Sequence, residues 1–204
     1  GEAAEMAGTE EEGLKMPQVF FTSDLHFGHK NIIDYCNRPF SSVKDMDGAL
    51  IQAWNARVSF DDTVFVLGDF AFESSAQATH ALAQLQGEKI LIRGNHDRIA
   101  GVTGWKEIHD ALFIRVQGVS FYLHHYPLRD WPGKWSGAIH LYGHVHGSLE
   151  PLPGSMDVGV DTWGGAPVSL AEIVKAVRPF DKQGAVPAEF VMKSWEKENN
   201  IDAR

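Results

Sequence analysis

Three stretches share one pattern: QVFFTSD (18–24), TVFVLGD (63–69) and KILIRGNHD (89–97). Each is a run of β-branched and aromatic residues that stops on polar or acidic ones. Short apolar runs of this kind make strands, and the second and third are apolar enough to be buried on both faces. Helical stretches stand between them. Over residues 43–57, Val43, Met46, Leu50 and Trp54 recur at three- and four-residue spacing. Residues 74–86 are rich in Ala and Gln and carry Leu82 and Leu85, with Gly87 as the stop. Then the rhythm changes. LFIRVQGVSFYLHHYP (112–127) predicts two strands about Gly118, and AIHLYGHVH (138–146) and SMDVGVD (155–161) predict further strands. Ser169 is an N-cap for a helix over 170–177, with Glu172 three residues on to close the box. Strand–helix alternation followed by consecutive strands predicts an α/β fold: two packed mixed sheets with helices outside.

Residues 17–180 are expected to form one domain, which the 204-residue chain is long enough to build around a real core. Residues 1–16 are expected to be a disordered leader or an artificial extension, with Met16 as the natural start. Residues 181–204 are expected to form a tail packed on the domain, helical over about 187–199. A 44% hydrophobic and 22% charged composition is that of a globular chain. No run of about 18 apolar residues is present, so no membrane span is expected. The single cysteine, Cys36, excludes an internal disulfide and suits a reducing compartment, and the cytoplasm is the expected location. Net charge is −9, and five of the glutamates lie in the first sixteen residues. An acidic chain is a poor partner for long nucleic acid, although bound cations would reverse the charge locally.

The ends of the predicted strands carry the chemistry. They deliver Asp24 and His26, then Asp69, then Asn95, His96 and Asp97, then His124 and His125, then His144 and His146. In open α/β sheets, ligands bind beyond the carboxyl ends of the strands, so these groups can converge. Nitrogen and oxygen donors without thiolate suit Mn, Fe, Zn, Ni or Co. Asp24, His26, Asp69, Asn95, His144, His146 and one of the pair at 124 and 125 make seven, too many for one ion. Two divalent ions sharing a carboxylate use seven well. One Asp or His alone would more often be a satisfied core residue; seven at five strand ends are not. His80, His109 and His140 fit no motif and are expected to be structural.

D-x-H, G-D, G-N-H-D, a strand-end His and G-H-x-H, in that order over residues 18 to about 161, resemble the calcineurin-like metallophosphoesterase superfamily. DLHFGHKNII, CNRPF and HYP are similar to its small bacterial and phage members. The resemblance implies a four-layer α/β/β/α sandwich. It implies one metal on Asp24, His26 and His146, a second on Asn95, His144 and the hairpin histidine, and Asp69 bridging; manganese is the first expectation. HHYP favours His125 over His124. The ions would polarise a phosphoryl oxygen and acidify a shared water. His96 would serve the leaving oxygen and Asp97 would orient it.

Three further residues are candidates for substrate contact: His29, which either touches phosphate or caps a helix, and Asn37 and Arg38 in NRPF, where Arg38 would clamp a phosphate. Trp131 and Trp135 would either stack a nucleobase or anchor a loop. The expected function is a dinuclear phosphodiesterase acting on nucleotide-like or other small phosphodiesters. A phosphomonoesterase, a nuclease or phosphatase acting on nucleic-acid ends, and a non-enzymatic scaffold of the same fold are the alternatives. GDFAFES lacks the G-D-x-x-D-R-G block of protein phosphatases.

Overall fold

The computed structural model describes residues 16–179. The leader expected over 1–16, apart from Met16, and the tail expected over 181–204 lie outside the described residues. The elements run β1 (Val19–Thr22), α1 (Lys30–Tyr35), α2 (Val43–Asn55), β2 (Thr63–Val66), α3 (Ser75–Ala83), β3 (Glu88–Ile92), β4 (Glu107–His109), β5 (Ala111–Val116), β6 (Val119–His124), β7 (Ile139–Tyr142), β8 (Ser155–Asp157), β9 (Val168–Ser169) and α4 (Leu170–Ala176).

Two mixed sheets result, as the sequence pattern predicts. One has the order β4-β3-β2-β1-β9, with only β9 antiparallel; the other has the order β5-β6-β7-β8, with only β5 antiparallel. Strand alternation sorts the side chains between two cores. Phe21, Phe65, Leu67, Ile90 and Ile92 face the second sheet and pack with Phe121, Leu123, Ile139 and Leu141. Phe20, Val64, Val66 and Leu91 point the other way, onto Met46, Leu50 and Trp54 of α2 and Ala78 and Leu82 of α3.

α2, α3 and α4 begin where serine side chains cap them. Ser42 accepts from the Asp45 amide, and Ser169 with Glu172 forms the reciprocal box at α4. On the outer face of the second sheet, Trp131 is buried and its Nε1 donates to the Ala138 carbonyl at 2.7 Å. That settles the choice left open for Trp131: it anchors a loop. His140 is buried in the same region, where its Nε2 accepts from the Leu128 amide and its Nδ1 meets the Tyr122 carbonyl.

The topology gathers the carboxyl ends at one place. β1, β2 and β3 are parallel, as are β6, β7 and β8, so each sheet sends its loops off a common edge. Backbone bonds stitch these loops together. The Asp24 amide donates to Gly68 O, His26 to Asp69 O, Gly143 to His125 O and Val160 to Ser23 O, all at 2.9–3.0 Å.

Candidate metal centre and active site

Two clusters of donor atoms lie where the edges meet. Asp24, His26 and His146 bring one ligand atom each within 4.8 Å of one another, and so do Asp69, His125 and His144. The Asn95 side-chain oxygen lies 3.0 Å from His125 Nε2, which adds it to the second cluster. Asp69 links the two, with its Oδ2 3.4 Å from His125 Nε2 and 3.6 Å from His26 Nε2.

The ring nitrogens are sorted by their outer partners. His125 Nδ1 lies 2.7 Å from the Leu67 carbonyl, and His146 Nδ1 2.7 Å from Asp161 Oδ2. Both contacts place a proton on Nδ1, so in the neutral ring each Nε2 is the lone pair that faces the cluster. His26 Nδ1 meets His29 Nδ1 at 3.2 Å, and His26 Nε2 is buried with no hydrogen-bond partner. Such an orphaned polar atom costs free energy unless something coordinates it. Together with three further imidazoles, two carboxylates and an amide oxygen, it fits a pair of divalent cations.

Electrostatics agrees. Burial pushes the Asp24 carboxyl well above its ordinary range, with His146 and Ser23 pulling the other way. Burial also drives His26 far down, so the ring is neutral and its approach to Asp69 is not an ion pair. Desolvation would raise Asp69, but its contact with His125 outweighs this and holds it low. Desolvation of His146 is likewise outweighed, by its bond to Asp161 together with the charges of Asp24 and Asp161, and the ring is raised.

The backbone is strained at the same positions. Asp24, His26, Asp69, His144 and His146 all have positive φ, between 48° and 71°. Side chains other than glycine rarely adopt this region, and such strain gathers at functional sites. It is sustained by fixed contacts: the His144 amide donates to both Asp24 carboxylate oxygens at 2.9–3.0 Å, and the Gly147 amide to Asp157 at 2.9 Å.

His125 and His124 separate cleanly. His125 is fully buried in the cluster, whereas His124 turns outward and accepts from the Tyr126 amide. His96 is exposed at the cleft, its ring centroid 5.6 Å from that of His26. Asn37 and His29 also line this cleft, which has a volume of about 910 Å³.

Two expectations are corrected. Arg38 does not reach for substrate. It is 7% exposed, and its guanidinium grips Asp161 through Nε and Nη2 at 2.8 and 2.9 Å while donating to the carbonyls of Asp24 and Leu25. Every donor direction is spent inside the fold. Asp97 does not orient His96 either. Its two oxygens accept the amides of Asp69, Phe70 and Gly94, so it ties the loops after β2 and β3 together. His29 starts α1 but makes no side-chain cap.

The sequence did not single out Asp161. It is held at about 2, because hydrogen bonds from His146 and Arg38 overcome the burial that would raise it. Its one sequence signal is its place at the end of SMDVGVD, a strand-like run ending on an acid like those of Asp24 and Asp69. Cys36 lies near Asp161 and His146, and burial pushes its thiol up to about 11.

A family model described as calcineurin-like phosphoesterase matches residues 17–203. The chain belongs to that family. It is therefore a metal-dependent phosphoester hydrolase. Relatives lie far apart in source. An uncharacterized protein of Methanocaldococcus jannaschii is 35% identical over 173 residues, covering 80% of this chain and 93% of that one. The gene 66 protein of Mycobacterium phage L5 is 30% identical, covering 84% and 99%. A solved structure of a protein of unknown function from Aquifex aeolicus superposes with a TM-score of 0.66 at 24% identity, covering 79% of this chain and all of that one, and shares the fold.

Among the described residues no helix is long and apolar enough to cross a membrane.

Proposed function

We propose that this phosphoesterase is a dinuclear phosphodiesterase acting on small, nucleotide-like diesters, with manganese as its working metal, in the cytoplasm. The observation that carries the metal centre is His26 Nε2, a buried ring nitrogen without a hydrogen-bond partner amid six further donors. Asp24, His26 and His146 would hold one ion; Asn95, His125 and His144 the other; Asp69 would lie between them.

Bound there, two divalent ions supply Lewis acidity toward the phosphoryl oxygens and bring water to nucleophilic strength at neutral pH. The protein does the rest. Leu67 O and Asp161 keep protons on the outer nitrogens of His125 and His146, so that Nε2 stays basic. Asp97 holds the loops of Asp69 and Asn95 in register. His96 stands at the cleft, with its amide tied to Asp69 Oδ1 at 2.9 Å, where its ring can protonate the departing oxygen. The net charge of −9 favours a small substrate over long nucleic acid.

Asp69→Asn tests the reading. Turnover of bis-p-nitrophenyl phosphate with Mn²⁺ should fall by at least about 10³-fold, on the scale of losing one central electrostatic group. Full activity in that variant, or in protein stripped of metal, overturns the proposal. Faster turnover of p-nitrophenyl phosphate than of the diester in the wild-type protein overturns the diester preference alone.

A further inference from the structure

The cleft above the donor clusters has an uneven chemistry. Among its described lining residues there is no lysine or arginine. One wall is aromatic: Tyr35 is 72% exposed and Phe72 is 47% exposed, and both line the cleft. His29 fixes them. Its ring stacks on Phe72 at 4.3 Å and 19°, and meets Tyr35 edge-on at 6.4 Å and 81°. The Phe72 ring also stands 5.4 Å from that of His96. Asn31, Asn37 and Ser148 add neutral donors and acceptors to the same cleft.

Each of these facts restricts the ligand. A substrate with several phosphates would find no lysine or arginine among the described residues lining this cleft for the charges that the metals leave over. A diester carries a single negative charge and needs none. Large aromatic side chains left in water gain free energy when a second ring covers them. Stacking on an aromatic side chain is worth roughly 1–3 kcal/mol per base and is tolerant of base identity. The amide and hydroxyl groups of the same cleft match the hydrogen-bonding edges of a base.

We propose that Tyr35 and Phe72, braced by His29, form a subsite for the planar uncharged ring of the substrate, which makes that substrate a nucleoside phosphodiester. The inference rests on the metal-centre reading above, which supplies the phosphate end.

The test compares two probes with the same phosphate group, a nucleoside 5′-monophosphate and methyl phosphate, each titrated calorimetrically into the Mn²⁺-loaded full chain. The wild-type protein should bind the nucleotide about 5–150-fold more tightly, the ratio that stacking of this size produces. Phe72→Ala and Tyr35→Ala should each lose most of that advantage while binding methyl phosphate as the wild type does. Equal affinity of the wild type for both probes overturns the subsite, and so does an equal loss for both probes in the variants. If neither probe binds the wild type, the metal-centre reading falls and the subsite with it. Both side chains are exposed, so the variants should keep the wild-type melting temperature, and a large drop would show that the two rings support the fold instead.

Discussion

Asp161 divides its carboxylate between Arg38 and the Nδ1–H of His146. A buried pair is costly to break by removing one partner, because the other charge is left desolvated and unpaired. Arg38→Ala should therefore lower stability by about 3–5 kcal/mol, read from the midpoint of urea unfolding. Unchanged stability with a raised KM would restore Arg38 to the substrate side. The donor residues were legible in the sequence because each sits in a short local motif, such as SDLH or GHVH. The role of Arg38 was not, because it depends on a carboxylate 123 positions away. Arginine next to an expected phosphate site suggests a phosphate clamp; the structure spends it on a carboxylate and two carbonyls. His125 over His124 was favoured from HHYP, but the facing of each ring depends on where β6 ends, which is His124.

At the scale of elements, the catalytic edge consists of strand ends that turn sharply in left-handed conformations. Gly68, just after β2, shows how little room they leave. Its φ is +89°, and an added Cβ would lie 2.4 Å from His125 Nδ1 and 2.7 Å from the Gly94 backbone. Gly68→Ala should cost roughly 1–3 kcal/mol and displace His125, since overpacking and the backbone penalty act together. Gly48 in α2 is the natural control. Nothing lies within 4 Å of its added Cβ, and Ala there should stabilise by about 0.5–1 kcal/mol. Thermal melts of the two variants should move in opposite directions; a neutral Gly68→Ala would mean that the edge is looser than its contacts suggest. The long elements were legible from periodicity and caps, with C-terminal ends up to three residues too long in the helices and up to four in β2, β7 and β8. β4 (Glu107–His109) and β9 (Val168–Ser169) were not predicted. They are two- and three-residue edge strands, too short to show alternation, and are made by pairing with β3 and β1.

For the whole molecule, the central consequence is that folding assembles the donors and so creates the binding site. Ions that bind the folded chain and not the unfolded one stabilise it by mass action, by about 2.7 kcal/mol at 100 times the dissociation constant. For a chain of this size that corresponds to a rise of about 5–10 °C in melting temperature. Differential scanning calorimetry with Mn²⁺, and again after a chelator, should show the rise and its reversal. No shift with Mn²⁺, Fe²⁺, Zn²⁺, Ni²⁺ or Co²⁺ would contradict the centre. By itself the sequence determined the α/β class, the strand-end grammar and the inventory of donors, because apolar periodicity and short motifs are local properties of a chain. Tertiary structure alone decided which histidine of 124 and 125 turns inward, that Arg38 and Asp97 brace loops, that Asp161 fixes a ring, and that Tyr35 and Phe72 share a wall. Those outcomes depend on contacts between residues far apart in the chain, and such contacts exist only once both sheets have brought their carboxyl edges together.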